Sequence, residues 1–127
     1  MTYKVFGKKE KGKQPSENAE MITFFNILRE EYPDLAVIAT HIKNEGKRNI
    51  NQIGKDKAEG LVTGFPDIVI LGSPAFCCEM KSKGKSKISE DQEKVLIAAA
   101  ENGAFACVAY GYEAAIEAVN EWVHAQA

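Results

Sequence analysis

The sequence has no apolar run near the roughly 20 residues needed to cross a bilayer, so no membrane span is expected. Its lysine-rich start is not followed by an apolar segment, which argues against a secretory signal. Cysteine is scarce. Cys77, Cys78 and Cys107 form an odd set without CxxC or Cys/His ligand spacing. All three stand among apolar neighbours, which reads as reduced core cysteines of a cytoplasmic protein. No repeat and no second domain can be traced, and 127 residues suffice for one core.

Positive charge is absent from the last 27 residues, which hold Glu101, Glu113, Glu117 and Glu121 but no Lys or Arg. It collects in three places instead. Residues 1–13 carry five lysines against Glu10, and residues 41–57 carry Lys43, Lys47, Arg48, Lys55 and Lys57 against Glu45 and Asp56. Residues 81–87 carry Lys81, Lys83, Lys85 and Lys87 with no acid. A net charge of −2 alone speaks against a nucleic-acid partner. The segregation predicts a basic side and an acidic side, and a basic side suits a polyanion. Any one cluster taken alone is equally well a solvated loop.

Residues 1–15, polar and broken by Gly7, Gly12 and Pro15, read as a flexible basic arm; residues 16–127 read as a single domain. Ser16 can cap a helix that runs to about Tyr32 and stops at Pro33, with Met21, Phe24, Phe25 and Leu28 as its apolar stripe. LAVIATHI, 35–42, reads as a strand, 43–51 as a polar loop and 52–60 as a short helix. Strands follow at about 67–71 and 75–81, a helix from Ser89 to about Asn102, a strand at 105–110 and a last helix over 112–125. Strands apolar on both faces need cover on both faces. The expected fold is α/β, a mixed central sheet flanked by helices.

Gly72-Ser73-Pro74 supplies a turn between the third and fourth of these segments. Folded about Ser73, the hairpin sets Ile68 opposite Cys78 and Asp67 opposite Glu79. Directly opposed residues share a face with Cβ atoms about 5 Å apart. Two carboxylates at that spacing repel unless something positive lies between them. A hard divalent cation fits the gap. Lys81, two residues after Glu79, projects from the same face. A one-residue slip would put the two acids on opposite faces. The set suits phosphodiester hydrolysis: a metal polarises the phosphate and acidifies a water, and a lysine orients the attacking oxygen and offsets developing charge. Ordinary salt bridges at strand ends are the alternative reading.

Pro66-Asp67, eleven residues, then Glu79-Met80-Lys81 resembles the PD-(D/E)xK nuclease motif. With an N-terminal helix bearing acids, the NEGKR loop, GFPD and a helix opening S-x-x-Q, the chain resembles the VRR-Nuc branch of stand-alone phage or bacterial type from about Glu17 to Tyr110. The resemblance implies a restriction-endonuclease-like core. It implies Glu20 as a further metal-site acid, Gln92 as the glutamine after ExK, and the Met80 carbonyl as a metal ligand. Glu20 is equally placed to favour the helix dipole, and Gln92 to complete a capping box. The family's Val-Arg-Arg strand reads Cys107-Val108-Ala109-Tyr110 here and keeps only the valine. Phosphate contacts are therefore expected from Lys83, Lys85 and Lys87.

The expected activity is a Mg²⁺- or Mn²⁺-dependent DNA endonuclease in a bacterial or phage-infected host cell. Its catalytic set is Glu20, Asp67, Glu79, Lys81 and Gln92, with metal on Asp67, Glu79 and the Met80 carbonyl. His41, Asn44, Lys47 and Arg48 are further candidates to hold DNA, against a surface or solvated-loop role. So small a chain suggests a homodimer, two sites for two strands, and branched DNA such as a four-way junction. The alternative is an inactive nuclease-fold module that binds nucleic acid or a partner protein. A sequence-specific restriction enzyme would need a recognition element for which there is little room.

Overall fold

The computed structural model describes residues 2–43, 50–84 and 87–126. Five strands form one sheet in the order β1-β5-β4-β3-β2. They are β1 (Lys4–Phe6), β2 (Ala39–His41), β3 (Ile68–Ile70), β4 (Phe76–Lys81) and β5 (Phe105–Tyr110). β4 runs parallel to β5 and β5 to β1, while β2, β3 and β4 alternate in direction. The sheet is thus mixed, with a parallel half and a hairpin half.

Helices cover both faces. α1 (Glu17–Glu31) and α5 (Tyr112–Ala125) bury Phe24, Leu28, Ala115, Val119 and Trp122 against Ile68, Ile70, Phe76, Cys78 and Met80. α4 (Glu90–Glu101) lays Leu96 and Ala100 on Ala106 and Val108 of the opposite face. The remaining helices are α2 (Pro33–Ala36) and α3 (Ile50–Ala58). All six residues of β4 are buried. Alternation along a strand sends Phe76, Cys78 and Met80 towards α1 and α5, and Cys77, Glu79 and Lys81 towards the α4 side. Two charged groups therefore lie inside the covered part of the sheet, where such groups are rare without a partner or a function.

The hairpin register agrees with the expectation: Ile68 pairs with Cys78, Val69 with Cys77 and Ile70 with Phe76. Helix starts also fall where the caps predict. Ser16 Oγ accepts from the Ala19 amide at 3.1 Å, and Ser89 closes a full capping box with Gln92.

Two expectations fail. Leu35 and Ala36 of LAVIATHI end α2, Val37 and Ile38 form a turn, and only Ala39–His41 is strand. Pro33 presets the first helical turn and Asp34 favours its dipole, so the backbone turns once before it extends. Residues 1–15 are not a flexible arm throughout. Lys4–Phe6 adds a parallel edge strand to β5, with Phe6 buried and its ring 6.2 Å from that of Phe105. Lys4 Nζ reaches Glu121 at 2.8 Å, Tyr3 donates to Glu93 at 2.7 Å, and the Glu10 amide donates to the Lys83 carbonyl at 2.7 Å. Trp122 packs inside: its Nε1 donates to the Pro74 carbonyl at 2.9 Å and its ring lies on Phe76.

Candidate active site

The site forms where β3 and β4 leave the sheet between the first turns of α1 and α4. Two devices fix α4 there. Gly64 adopts φ +81°, and a Cβ on it would stand 2.6 Å from the Asp91 carbonyl carbon and 2.7 Å from the Gln92 nitrogen. Only glycine allows the loop before Asp67 to press this closely on the helix start. The capping box then sets the Gln92 side chain: its Oε1 accepts from the Ser89 amide at 2.9 Å, and its Nε2 donates to Glu79 Oε2 at 3.0 Å. One residue both caps the helix and holds an acid of the site, so capping and function are not alternatives at this position.

Continuing the register sets Asp67 opposite Glu79. Asp67 Oδ2 accepts from the Met80 amide at 3.1 Å, which binds the carboxylate to the neighbouring strand. Lys81 Nζ lies 3.7 Å from Glu79 Oε2, with both side chains almost wholly buried. The other Glu79 oxygen, Oε1, is buried and has no hydrogen-bond donor. Burial pushes the Glu79 carboxyl up to about 9, and the hydrogen bond and charge of Asp67 push the same way, against the opposing pull of Lys81. Burial and the neighbouring acid thus favour the neutral form of Glu79 when no cation is bound.

A cavity of about 240 Å³ opens over this pair. Asp67, Glu79, Lys81 and Gln92 form one wall; Glu17 and His41, with Lys43, stand across it. His41 is thus brought to the site as expected. Glu20 is not. It is 2% exposed, its Oε1 accepts from the Tyr112 amide at 3.2 Å, and its Oε2 lies against Gly111 at the start of α5. Glu17, one turn earlier on α1, occupies the place expected for Glu20, and its charge bears on Glu79. No spacing on α1 singles out Glu17: it stands four before Met21 and Glu20 four before Phe24, both of them buried. Lys43 is a second lining residue that the site reading missed.

Lys83 turns away from the cavity. Its stem packs on Gly111 and its Nζ comes within 4.0 Å of Glu113. Lys87 is exposed beyond the strand end. Asn44, Lys47, Arg48 and Lys85, expected to hold DNA, lie outside the described residues.

The donor set can be tested against a divalent cation. Among the described residues no three His, Cys, Asp or Glu side chains converge into a closed metal cage. Mg²⁺ does not need one, since it is commonly held by one or two carboxylates with water and substrate phosphate. Glu79 Oε1, buried and without a donor beside a second carboxylate, is the type of atom such a cation would satisfy. The Met80 carbonyl can join it. On a strand the amide and carbonyl of one residue point the same way. The Met80 amide points at Asp67, and Pro66, next in the register, has no N–H to engage the carbonyl. The residues fit the ion.

No protein-family model matches the sequence, and no curated protein matches it. A solved structure described as a VRR_NUC domain protein superposes with a TM-score of 0.74, over 88% of this chain and 91% of that one, at 21% sequence identity. The chain shares the fold of that VRR_NUC domain protein.

Proposed function

We propose that this protein is a divalent-metal-dependent endonuclease that hydrolyses phosphodiester bonds in DNA. The observation that carries the reading is the facing acid pair Asp67/Glu79, in which Glu79 is buried with an oxygen that lacks a donor and with Lys81 beside it. A structural salt bridge would satisfy those atoms; this arrangement leaves them short of positive charge. Asp67, Glu79 and the Met80 carbonyl would hold Mg²⁺ or Mn²⁺. When bound, the ion supplies polarisation of a phosphodiester oxygen and a water of lowered pKa.

The chain's own residues do the rest. Glu79 would hold the ion in its ionised form, through the oxygen that lacks a donor. Gln92 Nε2 keeps the Glu79 carboxylate in one rotamer, so its free oxygen stays aimed at the cavity. Lys81 sits where it can orient the attacking water and offset charge building on phosphorus, a contribution of roughly 3–4 kcal/mol in comparable sites. Glu17, across the cavity, is placed to hold that water or accept its proton. His41 and Lys43 face incoming phosphates. Lys8, Lys9, Lys11, Lys13 and Lys87 are exposed and offer the wider basic surface.

Two strands need two cuts, and each chain offers one site. A twofold pair acting on branched DNA such as a four-way junction therefore completes the reading. Light scattering at micromolar protein tests the pair. The activity itself is tested by nicking of supercoiled plasmid with Mg²⁺, Mn²⁺ or EDTA. Cleavage by pure protein that survives EDTA, or an Asp67→Asn variant as active as the parent, overturns the proposal.

A further inference from the structure

A second cavity, about 450 Å³, lies between α1 and the sheet-edge strand β2. It shares Met21, His41 and Lys43 with the cavity over the acid pair, so the two adjoin along α1 and β2. Its α1 wall is Met21, Ile22 and Phe25, followed by Asn26 and Arg29. Spacings of three and four put all of these on one side of the helix.

The wall has two properties. It is apolar where it meets solvent: Ile22 is 64% exposed. It is also cationic. Arg29 and Lys43 line it and, among the described residues, no carboxylate does, on a chain whose net charge is −2. Arg29 is held in place. Its Nη1 donates to Asn26 Oδ1 at 3.2 Å, and its guanidinium lies 5.9 Å over the Phe25 ring. The result is a fixed, flat platform of aromatic ring and guanidinium beside exposed aliphatic surface.

A duplex presents phosphates, sugars and groove edges, and its base faces are stacked away. Ile22 and the Phe25–Arg29 platform would find nothing apolar to meet on it. An unpaired strand exposes base faces, and sites for such strands combine cations that track the backbone with planar groups on which bases stack. We infer that the α1–β2 groove binds unpaired nucleotides of a DNA strand, next to the phosphate that reaches the acid pair. This rests on the nuclease reading for its place in the reaction, and it narrows the substrate to DNA with a single-stranded flank beside the cut.

The test needs no catalysis. Fluorescence anisotropy in EDTA compares a blunt duplex with the same duplex carrying a short tail of about four nucleotides, in both polarities. The parent should bind one tailed form roughly tenfold more tightly than the blunt form, as stacking of one or two bases implies. Ile22→Asp and Arg29→Glu change exposed side chains, and thermal melting checks their fold. Each should cut the tailed-to-blunt ratio to about twofold or less. Equal affinity of the parent for blunt and both tailed forms overturns the inference. So does a ratio unchanged in both variants, or an Arg29→Glu loss equal on blunt and tailed DNA, which would make Arg29 a general phosphate contact. A tail preference without cleavage in Mg²⁺ or Mn²⁺ defeats the nuclease reading and leaves the groove standing. Cleavage without a tail preference does the reverse.

Discussion

Glu79→Gln isolates the proton held in the acid pair. Glutamine copies the protonated acid: its oxygen can accept from Gln92 Nε2, and its amide can donate to Asp67. It cannot ionise. In the metal-free parent the folded state holds the Glu79 proton up to about 9, against 4.5 for the ordinary carboxyl. Between those values the folded state binds more protons than the unfolded one, so stability falls as pH rises. The contribution of the neutral acid is complete below the unfolded value and is lost on the way to the folded one. One proton corresponds to about 1.4 kcal/mol per pH unit, or about 5 °C in Tm per unit for a chain of this size.

Melting curves of both proteins in EDTA from about pH 5 to pH 8 should therefore start together and diverge, Glu79→Gln ending the more stable by up to about 4 kcal/mol. Titrating groups that do not interact with Glu79 are common to both and cancel in the difference. Saturating Mg²⁺ should raise the parent's Tm more at the higher pH, because binding must displace the proton. It should do little for the variant. Parallel curves in EDTA would refute the shared proton. Equal Mg²⁺ stabilisation of both proteins would refute Glu79 as a ligand.

Lys81→Ala should lower single-turnover cleavage roughly 100- to 1000-fold while DNA affinity in EDTA stays within a few-fold; the opposite pattern makes Lys81 only part of a basic patch. Gly64→Ala should cost more than about 2 kcal/mol in chemical denaturation, since both its positive φ and the Asp91 backbone resist a Cβ. Titration of that variant with Mn²⁺ should also show weaker binding, because Gln92 moves with the helix start. Ser89→Ala and Gln92→Ala should each lose about 1 kcal/mol of cap, but only Gln92→Ala should also slow cleavage at saturating DNA; equal kinetics in the two would reduce Gln92 to a cap.

The acid pair is legible in the sequence because a hairpin converts spacing into geometry. Gly72-Ser73-Pro74 fixes the turn, and strand alternation then decides which side chains face each other. Helix starts are legible for a similar reason, since Ser16 and Ser89 are local signals with local partners. β1 is not legible. Three residues, Lys-Val-Phe, hold one buried side chain, too little pattern to mark a strand. What orders them is the free edge of β5, a partner about a hundred residues away. The end of α2 inside an apolar run is missed because hydrophobicity is the same for a buried helical turn and a buried strand.

Glu17 and Glu20 show why the helix acid was harder to place than the strand acids. Both lie in the first turn of α1, and both flank its apolar stripe. A strand has two faces, so a register assigns every residue. A helix can rotate, and residues three apart differ by only about 60° in direction, so a modest rotation decides which of the two faces the cavity and which the start of α5. The rotation is set by Phe24 and Leu28, which are fully buried. It is also set by the start of α5, where Gly111 has no side chain to cap and Tyr112 offers a free amide. Glu20 answers that amide from a neighbouring helix, supplying the acid that a helix N-terminus favours. Gly111 leaves room for it, since a Cβ there would stand 3.0 Å from Glu20 Oε2. With Glu20 committed to α5, the helix presents Glu17, Asn18 and Met21 to the cavity. Which first-turn acid faces the cavity is thus set by the packing of α1 on α5, and no feature local to α1 carries that information.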